Sequence, residues 1–329
     1  MARAWHLMSR PEALPGSDNF ALKDYALPQL GENMVHVRNC WLSVDPYMRG
    51  RMNEAKSYIP PFALDAPMEG GALGEVIESS ADGFKPGDLV VHMAGWRDEA
   101  VLAAKALQKA PQIEGVDPQA FLGILGMPGA TAYFGLLDAA EAKEGDRVFV
   151  SAAAGAVGSA VVQMAKAKGM TVIGSARGKK KCDFVRLLGA DAAIDYTAGP
   201  LLKTLREAAP DGIDVYFDNV GGDHLDAAFA RARLNARFAL CGMIGGYNSR
   251  EAPSFRYMIR IIAMRITVRG FLYGDYVSRL DEFYREVGGW VASGTVKSNE
   301  TVVDGLDGAP GAFLGLFSGA NTGKMLVRV

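Results

Sequence analysis

The sequence predicts an α/β chain, a doubly wound parallel sheet joined to a smaller β-domain. From residue 147 onward, short apolar runs alternate with stretches of helical period. That is the pattern of repeated β-α units, which pack helices on both faces of a parallel sheet. Before residue 122 the apolar runs Met34–Arg38, Leu73–Glu78 and Asp88–His92 are short and punctuated by Gly and Pro, as in a small twisted β-domain. A chain of 329 residues that is 49% hydrophobic can fill two cores.

In chain order, Gly83-Phe-Lys-Pro-Gly-Asp88 is a turn feeding the apolar Leu-Val-Val, and Glu144-Gly-Asp-Arg147 repeats that device. Between them, Gly123–Ala142 reads as a helix bridging the domains. Residues 147–169 form a strand, a small-residue turn and a helix in which Val157, Val161, Met164 and Ala165 recur at helical spacing up to Gly169. Strand Thr171–Ala176 follows, then helix Lys181–Leu188, strand Ala192–Asp195 and helix Leu201–Ala208. Strand Ile213–Asp218, helix His224–Ala232 and strand Arg237–Gly242 continue the alternation. Arg265–Leu272 reads as a late strand, and the tail from Thr301 ends in the strand Lys324–Val329.

Composition excludes several classes. With 35 basic and 37 acidic residues the net charge is −2, so no global field favours nucleic acid. No window reads as a membrane span: residues 148–165 are broken by Gly, Ser and Gln, and residues 258–273 carry Arg260, Arg265 and Arg269. The N-terminus lacks the apolar core of a secretion signal. Cys40, Cys182 and Cys241 are well separated and form no disulfide or metal pattern, so a reducing cytoplasm is expected. His6, His36, His92 and His224 are scattered, and no strand–Ser–turn elbow suggests a hydrolase.

The turn at residues 151–158 carries the most chemistry. Gly155 and Gly158 stand where side chains would obstruct a phosphate or hold the helix off the sheet, and Ala153 replaces the first glycine of the usual G-x-G-x-x-G. The N–H groups and dipole of the following helix suit a pyrophosphate. After the second strand, where a binder of NAD carries an acid for the ribose hydroxyls, come Arg177, Gly178, Lys179, Lys180 and Lys181. A solvated basic face is one reading of that cluster. A 2′-phosphate accounts for both the missing acid and the cations, so the expected cofactor is NADPH. Asp218–Gly222 and Cys241–Tyr247 fall at later strand ends, where ligands of such sheets bind; there Asn219 and Tyr247 offer hydrogen bonds.

Five segments together resemble the medium-chain dehydrogenase/reductase superfamily, in its zinc-independent branch of alkenal and enone double-bond reductases. They are Leu42-Ser-Val-Asp-Pro-Tyr-Met-Arg-Gly50, Gly126-Met-Pro-Gly-Ala-Thr-Ala-Tyr133, Ala152-Ala-Ala-Gly-Ala-Val-Gly158, Phe217-Asp-Asn-Val-Gly-Gly222 and Gly319-Ala-Asn-Thr-Gly-Lys324. The prostaglandin and bacterial curcumin reductases belong to that branch. The resemblance implies a GroES-like catalytic domain, residues 1–122 with 301–329, and a Rossmann NADP-binding domain, residues 123–300. It implies that Gly155, Ala156, Val157 and Gly158 hold the pyrophosphate, and that Lys181 and Tyr196 take the adenosine phosphate; the basic cluster itself adds Arg177 to them. Asn219, Cys241, Gly242, Ile244, Tyr247, Phe271, Leu272, Tyr273 and Asn321 would line the rest of the cofactor site. A homodimer is implied too, and Arg265–Tyr273 reads as an edge strand able to pair with a second copy.

Zinc relatives in the superfamily place a Cys and a His-Glu pair around the metal; the matching positions here are Val44, Met68 and Glu69, so no metal is expected. Without a Lewis acid, an α,β-unsaturated carbonyl is the fitting small-molecule substrate. Hydride adds at its β-carbon, and the charge moves to a carbonyl oxygen that needs hydrogen-bond donors. Tyr47 is the expected donor, helped by the cofactor ribose hydroxyl. Tyr47, Met48, Met52, Tyr58, Met127, Tyr247, Tyr257 and Met258 are the candidate walls of a substrate pocket expected between the domains. A quinone reductase, a non-catalytic NADPH-binding protein and a zinc alcohol dehydrogenase are the competing readings.

Overall fold

The computed structural model describes residues 1–249 and 251–329. The chain forms two compact units, Met1–Leu122 with Glu300–Asn321 and Met325–Val329, and Gly123–Asn299 with Thr322–Lys324.

The first unit begins with β1 (Ala2–Leu7) and β2 (Phe20–Tyr25), paired antiparallel. Neither was among the expected strands, because each is a short run mixing apolar and charged residues. β3 (Met34–Ser43) is followed by the five-residue helix α1 (Tyr47–Arg51), then β4 (Ala72–Ser79), β5 (Leu89–His92), β6 (Glu99–Ala103) and β7 (Gln108–Lys109). Val35, Val37, Val76 and Val90 meet beneath this sheet. A second core joins Leu7, Val44, Met48, Met52, Met68, Trp96 and Phe313, with the Phe20 and Trp96 rings stacked 6.1 Å apart.

The second unit opens with α2 (Met127–Phe134), which widens into a single π-turn at Gly135–Ala139. The expected helix over 123–142 is therefore only partly regular. Gly135 explains the geometry, since a Cβ there would lie 2.3 Å from Phe271 Cζ and 2.6 Å from Phe217 Cε2. Six strands follow: β8 (Arg147–Val150), β9 (Thr171–Ala176), β10 (Ala192–Asp195), β11 (Ile213–Asp218), β12 (Ala232–Leu240) and β13 (Thr267–Gly270). Helices α3 (Ala156–Ala167), α4 (Gly178–Leu187), α5 (Leu201–Ala208), α6 (Gly222–Arg231) and α7 (Arg260–Met264) connect them, and α8 (Leu280–Ala292) closes the unit. All pairings are parallel, in the order β10-β9-β8-β11-β12-β13. The order reverses between β8 and β11, the place where sheets of this kind bind ligands.

Several boundaries differ from the expectation; β3 runs on to Ser43 rather than ending at Arg38, and α4 starts at Gly178 rather than Lys181. β12 starts at Ala232 rather than Arg237, because its register with β11 jumps and Asn235 takes a left-handed φ of 62°. β13 is shorter than 265–272, because Arg265 closes α7 at φ 51°. The chain then returns to the first unit through β14 (Glu300–Asp304), α9 (Ala309–Ser318) and β15 (Lys324–Arg328), giving a sheet of order β14-β15-β3-β4-β5-β7 with β6 also on β3. Among the described residues no helix is long and apolar enough to cross a membrane.

Each unit holds a buried histidine. His92 Nδ1 accepts the Ala94 N–H at 3.1 Å, and the His224 ring meets Tyr196 edge-on, centroids 5.1 Å apart. Burial pushes both rings down from 6.5 to about 4. The unfolded chain therefore takes up these protons first as acid is added. Stability should hold above pH 6.5 and fall as pH drops towards 4, by roughly 3 kcal/mol for each ring. Urea midpoints across that window check this; His92→Gln and His224→Gln should each flatten the profile.

Candidate functional site

β8 delivers Ser151, fully buried, to the start of the small-residue turn. Ala152 adopts φ 49°, and its carbonyl accepts the Gly155 N–H at 2.9 Å. That carbonyl also explains Gly158, where a Cβ would lie 2.3 Å from Ala152 O and 2.8 Å from Ala153 Cα. The turn thus lies directly on the first coil of α3. Gly155 is the N-cap and carries no side-chain cap, so the N–H groups of Ala156, Val157 and Gly158 face outward. The Gly323 N–H donates to Ala154 O at 2.8 Å and secures the turn's outer side. An uncapped helix start behind a glycine cradle fits a pyrophosphate.

Beyond β9 the basic cluster divides. Lys179 is exposed and pairs with Asp183 at 2.5 Å on its own helix. Arg177 and Lys181 behave differently. Arg177 Nε donates to Tyr196 Oη at 3.3 Å and its guanidinium lies over that ring, 5.9 Å from the centroid. Half-buried Lys181 has no ion-pair partner among the described residues, and burial, with Arg177 nearby, holds its ammonium below the ordinary lysine value. Asp195, at the end of β10, does not neutralise them. Its Oδ1 accepts the N–H groups of Gly178 and Thr197 and the Thr197 hydroxyl, which caps α4. Two cations with an aromatic edge and no bound acid suit a phosphate monoester.

At the other side of the switch point, Asn219 Nδ2 donates to Ser151 O at 2.8 Å, which fixes the amide plane. The N–H groups of Cys241 and Gly242 both donate to Asp218 O, at 2.9 and 3.0 Å. Ile244 N–H reaches Asn219 O at 3.2 Å, and Tyr247 Oη accepts the Met243 N–H at 3.3 Å. Burial, with Asp218 adding to it, pushes the Cys241 thiol up to about 12. Phe271 packs edge-on to Phe217 at 6.1 Å, while Leu272 is exposed and Tyr273 half-buried. Asn321 belongs to the first unit. Sequence reasoning missed Ser151 and Asp218, whose side chains close this loop cluster; the only signal was a polar residue ending each apolar run.

In the first unit, Tyr47 starts α1. Its hydroxyl is buried and has no hydrogen-bond partner among the described residues. Burial first, then the charge of Asp45, pushes its pKa far above the ordinary tyrosine value, so it stays a donor. Arg51, next turn on, donates from Nε to Pro60 O at 2.9 Å and from Nη2 to Glu69 Oε2 at 2.6 Å, with its guanidinium 4.1 Å from the Phe62 centroid. Of the candidate pocket walls, Met48 and Met52 have no exposed surface and are core side chains, a correction that follows from the apolar face of α1 turning inward. Tyr58 is exposed, as are Tyr257 and Met258, and Met127 is half-buried.

At the three positions of the zinc relatives' ligands, Val44 and Met68 are buried in the apolar core and Glu69 takes Arg51. Among the described residues no three His, Cys, Asp or Glu side chains gather as a metal site. This set does not fit a zinc ion.

The chain matches a family model described as the N-terminal domain of oxidoreductase over residues 3–110, and one described as zinc-binding dehydrogenase over residues 156–291. The NADPH-dependent curcumin reductase of Escherichia coli (strain K12) is 40% identical over 337 residues, 99% of this chain and 96% of that protein. The NADP(+)-dependent 2-alkenal reductase of Nicotiana tabacum is 41% identical over 302 residues, 91% of this chain and 88% of that protein. The crystal structure of CurA in complex with NADPH from Vibrio vulnificus aligns with a TM-score of 0.95 at 40% identity, over 99% of each chain.

The pair Arg177 and Lys181 generates a prediction. Arg177→Ala with Lys181→Ala should weaken NADPH roughly tenfold to a hundredfold and leave NADH within about twofold. Calorimetric titration of both nucleotides reads the split, and equal losses would reduce the pair to solvated surface.

Proposed function

Since the chain belongs to the medium-chain dehydrogenase/reductase superfamily, in its alkenal and enone double-bond reductase branch, we propose that it reduces the C=C bond of α,β-unsaturated aldehydes and ketones with NADPH. The observation that carries this reading is the Tyr47 hydroxyl, buried, protonated and without a partner among the described residues, in a unit where two of the three metal positions hold apolar side chains and the third, Glu69, is paired with Arg51. A lone donor with no Lewis acid beside it suits a conjugated carbonyl, whose charge develops one bond system away from the attacked carbon.

When bound, NADPH supplies the hydride. The chain's own residues do the rest. Ala156, Val157 and Gly158 receive the pyrophosphate on the α3 dipole, and Arg177, Lys181 and Tyr196 take the 2′-phosphate. The strand ends at Asn219, Cys241–Tyr247 and Phe271–Tyr273 orient the remainder of the cofactor, with Asn321 from the tail. Tyr47 then donates to the carbonyl oxygen as it becomes an enolate; the candidate wall side chains are Tyr58 in the first unit, and Met127, Tyr247 and Tyr257 in the second.

Association follows from the edge of the parallel sheet. All four residues of β13 are exposed and pair only with β12 among the described residues, and Ile259 and Ile262 stand 71% and 75% exposed nearby in sequence. Pairing β13 with a second copy would satisfy its open groups and cover those side chains, giving a homodimer. Three free cysteines suit a reducing cytoplasm.

Purified protein should oxidise NADPH with an enal or a curcumin-like dienone at least tenfold faster than with a benzoquinone; the opposite preference would make it a quinone reductase. Tyr47→Phe should cost roughly a hundredfold to a thousandfold in kcat on enones while NADPH affinity is unchanged. Light scattering should report a dimer, and Ile262→Lys with Val268→Lys should shift it towards monomer.

A further inference from the structure

Asp218 ends β11 with no exposed surface, and its side chain is unevenly used. Oδ1 accepts four donors: the Tyr216 hydroxyl at 2.6 Å, the Ser151 hydroxyl at 3.2 Å, and the N–H groups of Val220 and Gly221 at 2.9 and 2.8 Å. Oδ2 is equally buried and has no partner among the described residues. Ser151 meanwhile accepts the Asn219 N–H on its hydroxyl and the Asn219 amide on its carbonyl, both at 2.8 Å. The main-chain oxygen of Asp218 takes Cys241 and Gly242. One residue therefore ties together the carboxyl ends of β8, β11 and β12.

A carboxyl group without a cationic partner is an expensive way to terminate a strand. Burial pushes Asp218 above its ordinary carboxylate value, against the pull of its four donors. Nothing at Oδ2 returns that cost, so its use lies in what Oδ1 collects. We propose that Asp218 is a positioning residue for the nicotinamide half of the cofactor, acting through Ser151 and Asn219 by gathering the end of β8 and the turn after β11 onto Oδ1. This rests on the NADPH reading above and adds a residue to it. Arg177, Lys181 and Tyr196 make none of these contacts, so the adenosine 2′-phosphate half is held independently.

Independence of the two halves supplies the test. Titration of the full chain with NADPH and with 2′,5′-ADP, which carries only the adenosine phosphate groups, separates them. Asp218→Ala should weaken NADPH and NADH by the same factor, roughly tenfold or more, and lower kcat, with 2′,5′-ADP affinity within about twofold of wild type. Asp218→Asn keeps a carbonyl oxygen for the four donors while removing the charge and placing the amide nitrogen at the partnerless position, so it should restore NADPH binding. Should Asp218→Ala fail to accumulate, Ser151→Ala removes one donor to Oδ1 and the acceptor of the Asn219 N–H, and should show the same split at smaller amplitude.

Wild-type NADPH affinity in Asp218→Ala would overturn the proposal, as would a parallel loss of 2′,5′-ADP, which marks a general folding defect. Failure of Asp218→Asn alongside Asp218→Ala would overturn it too, because charge rather than acceptance would then matter. Wild-type protein that binds neither nucleotide would instead sink the cofactor reading itself.

Discussion

The second unit depends on the close approach of Ala152 to Gly158. A backbone carbonyl there lies where any Cβ would sit, so α3 can begin against the end of β8 only through glycine. Without that contact the helix would stand off the sheet, and its outward N–H groups would no longer share a crevice with the ends of β11 and β12. The left-handed φ of Ala152 orients that carbonyl, and the Gly323 N–H on Ala154 O holds the rest of the turn. Phosphate recognition in this fold is thus a packing result before it is an electrostatic one.

The first unit solves a different problem. A helix of five residues has no stability of its own, yet α1 holds the Tyr47 hydroxyl proposed above as the donor. Two buried arginines anchor it. Arg49 reaches Asn53 Oδ1 at 2.6 Å and Ala13 O at 2.9 Å, and Arg51 reaches Pro60 and Glu69. Fixing the donor in advance removes the cost of ordering it during reaction.

How much of this was legible in the sequence depends on range. The β-α alternation from residue 147, the glycine turn and the cation cluster are local signals, and each reflects a local rule of period, steric space or charge. Places where the chain departs from a single period were harder to read. The left-handed Asn235 lets β12 begin early, and the π-turn at Gly135 answers to rings from β11 and from the segment after β13. Separating Lys179 from Lys181 required knowing that Asp183 pairs with one of them, while among the described residues no carboxylate pairs with the other. The buried isolation of the Tyr47 hydroxyl, and the convergence on Asp218, join residues far apart in sequence and leave no spacing to detect.

Cys241 lies in a loop assigned to cofactor contact, in a chain assigned to conjugated carbonyls. Such compounds alkylate thiolates. Burial, with the charge of Asp218, raises the Cys241 thiol, and burial raises Cys40 and Cys182 as well, so each is less ionised at neutral pH than a free cysteine. Keeping its thiols protonated leaves the chain with few thiolates for soft electrophiles to attack.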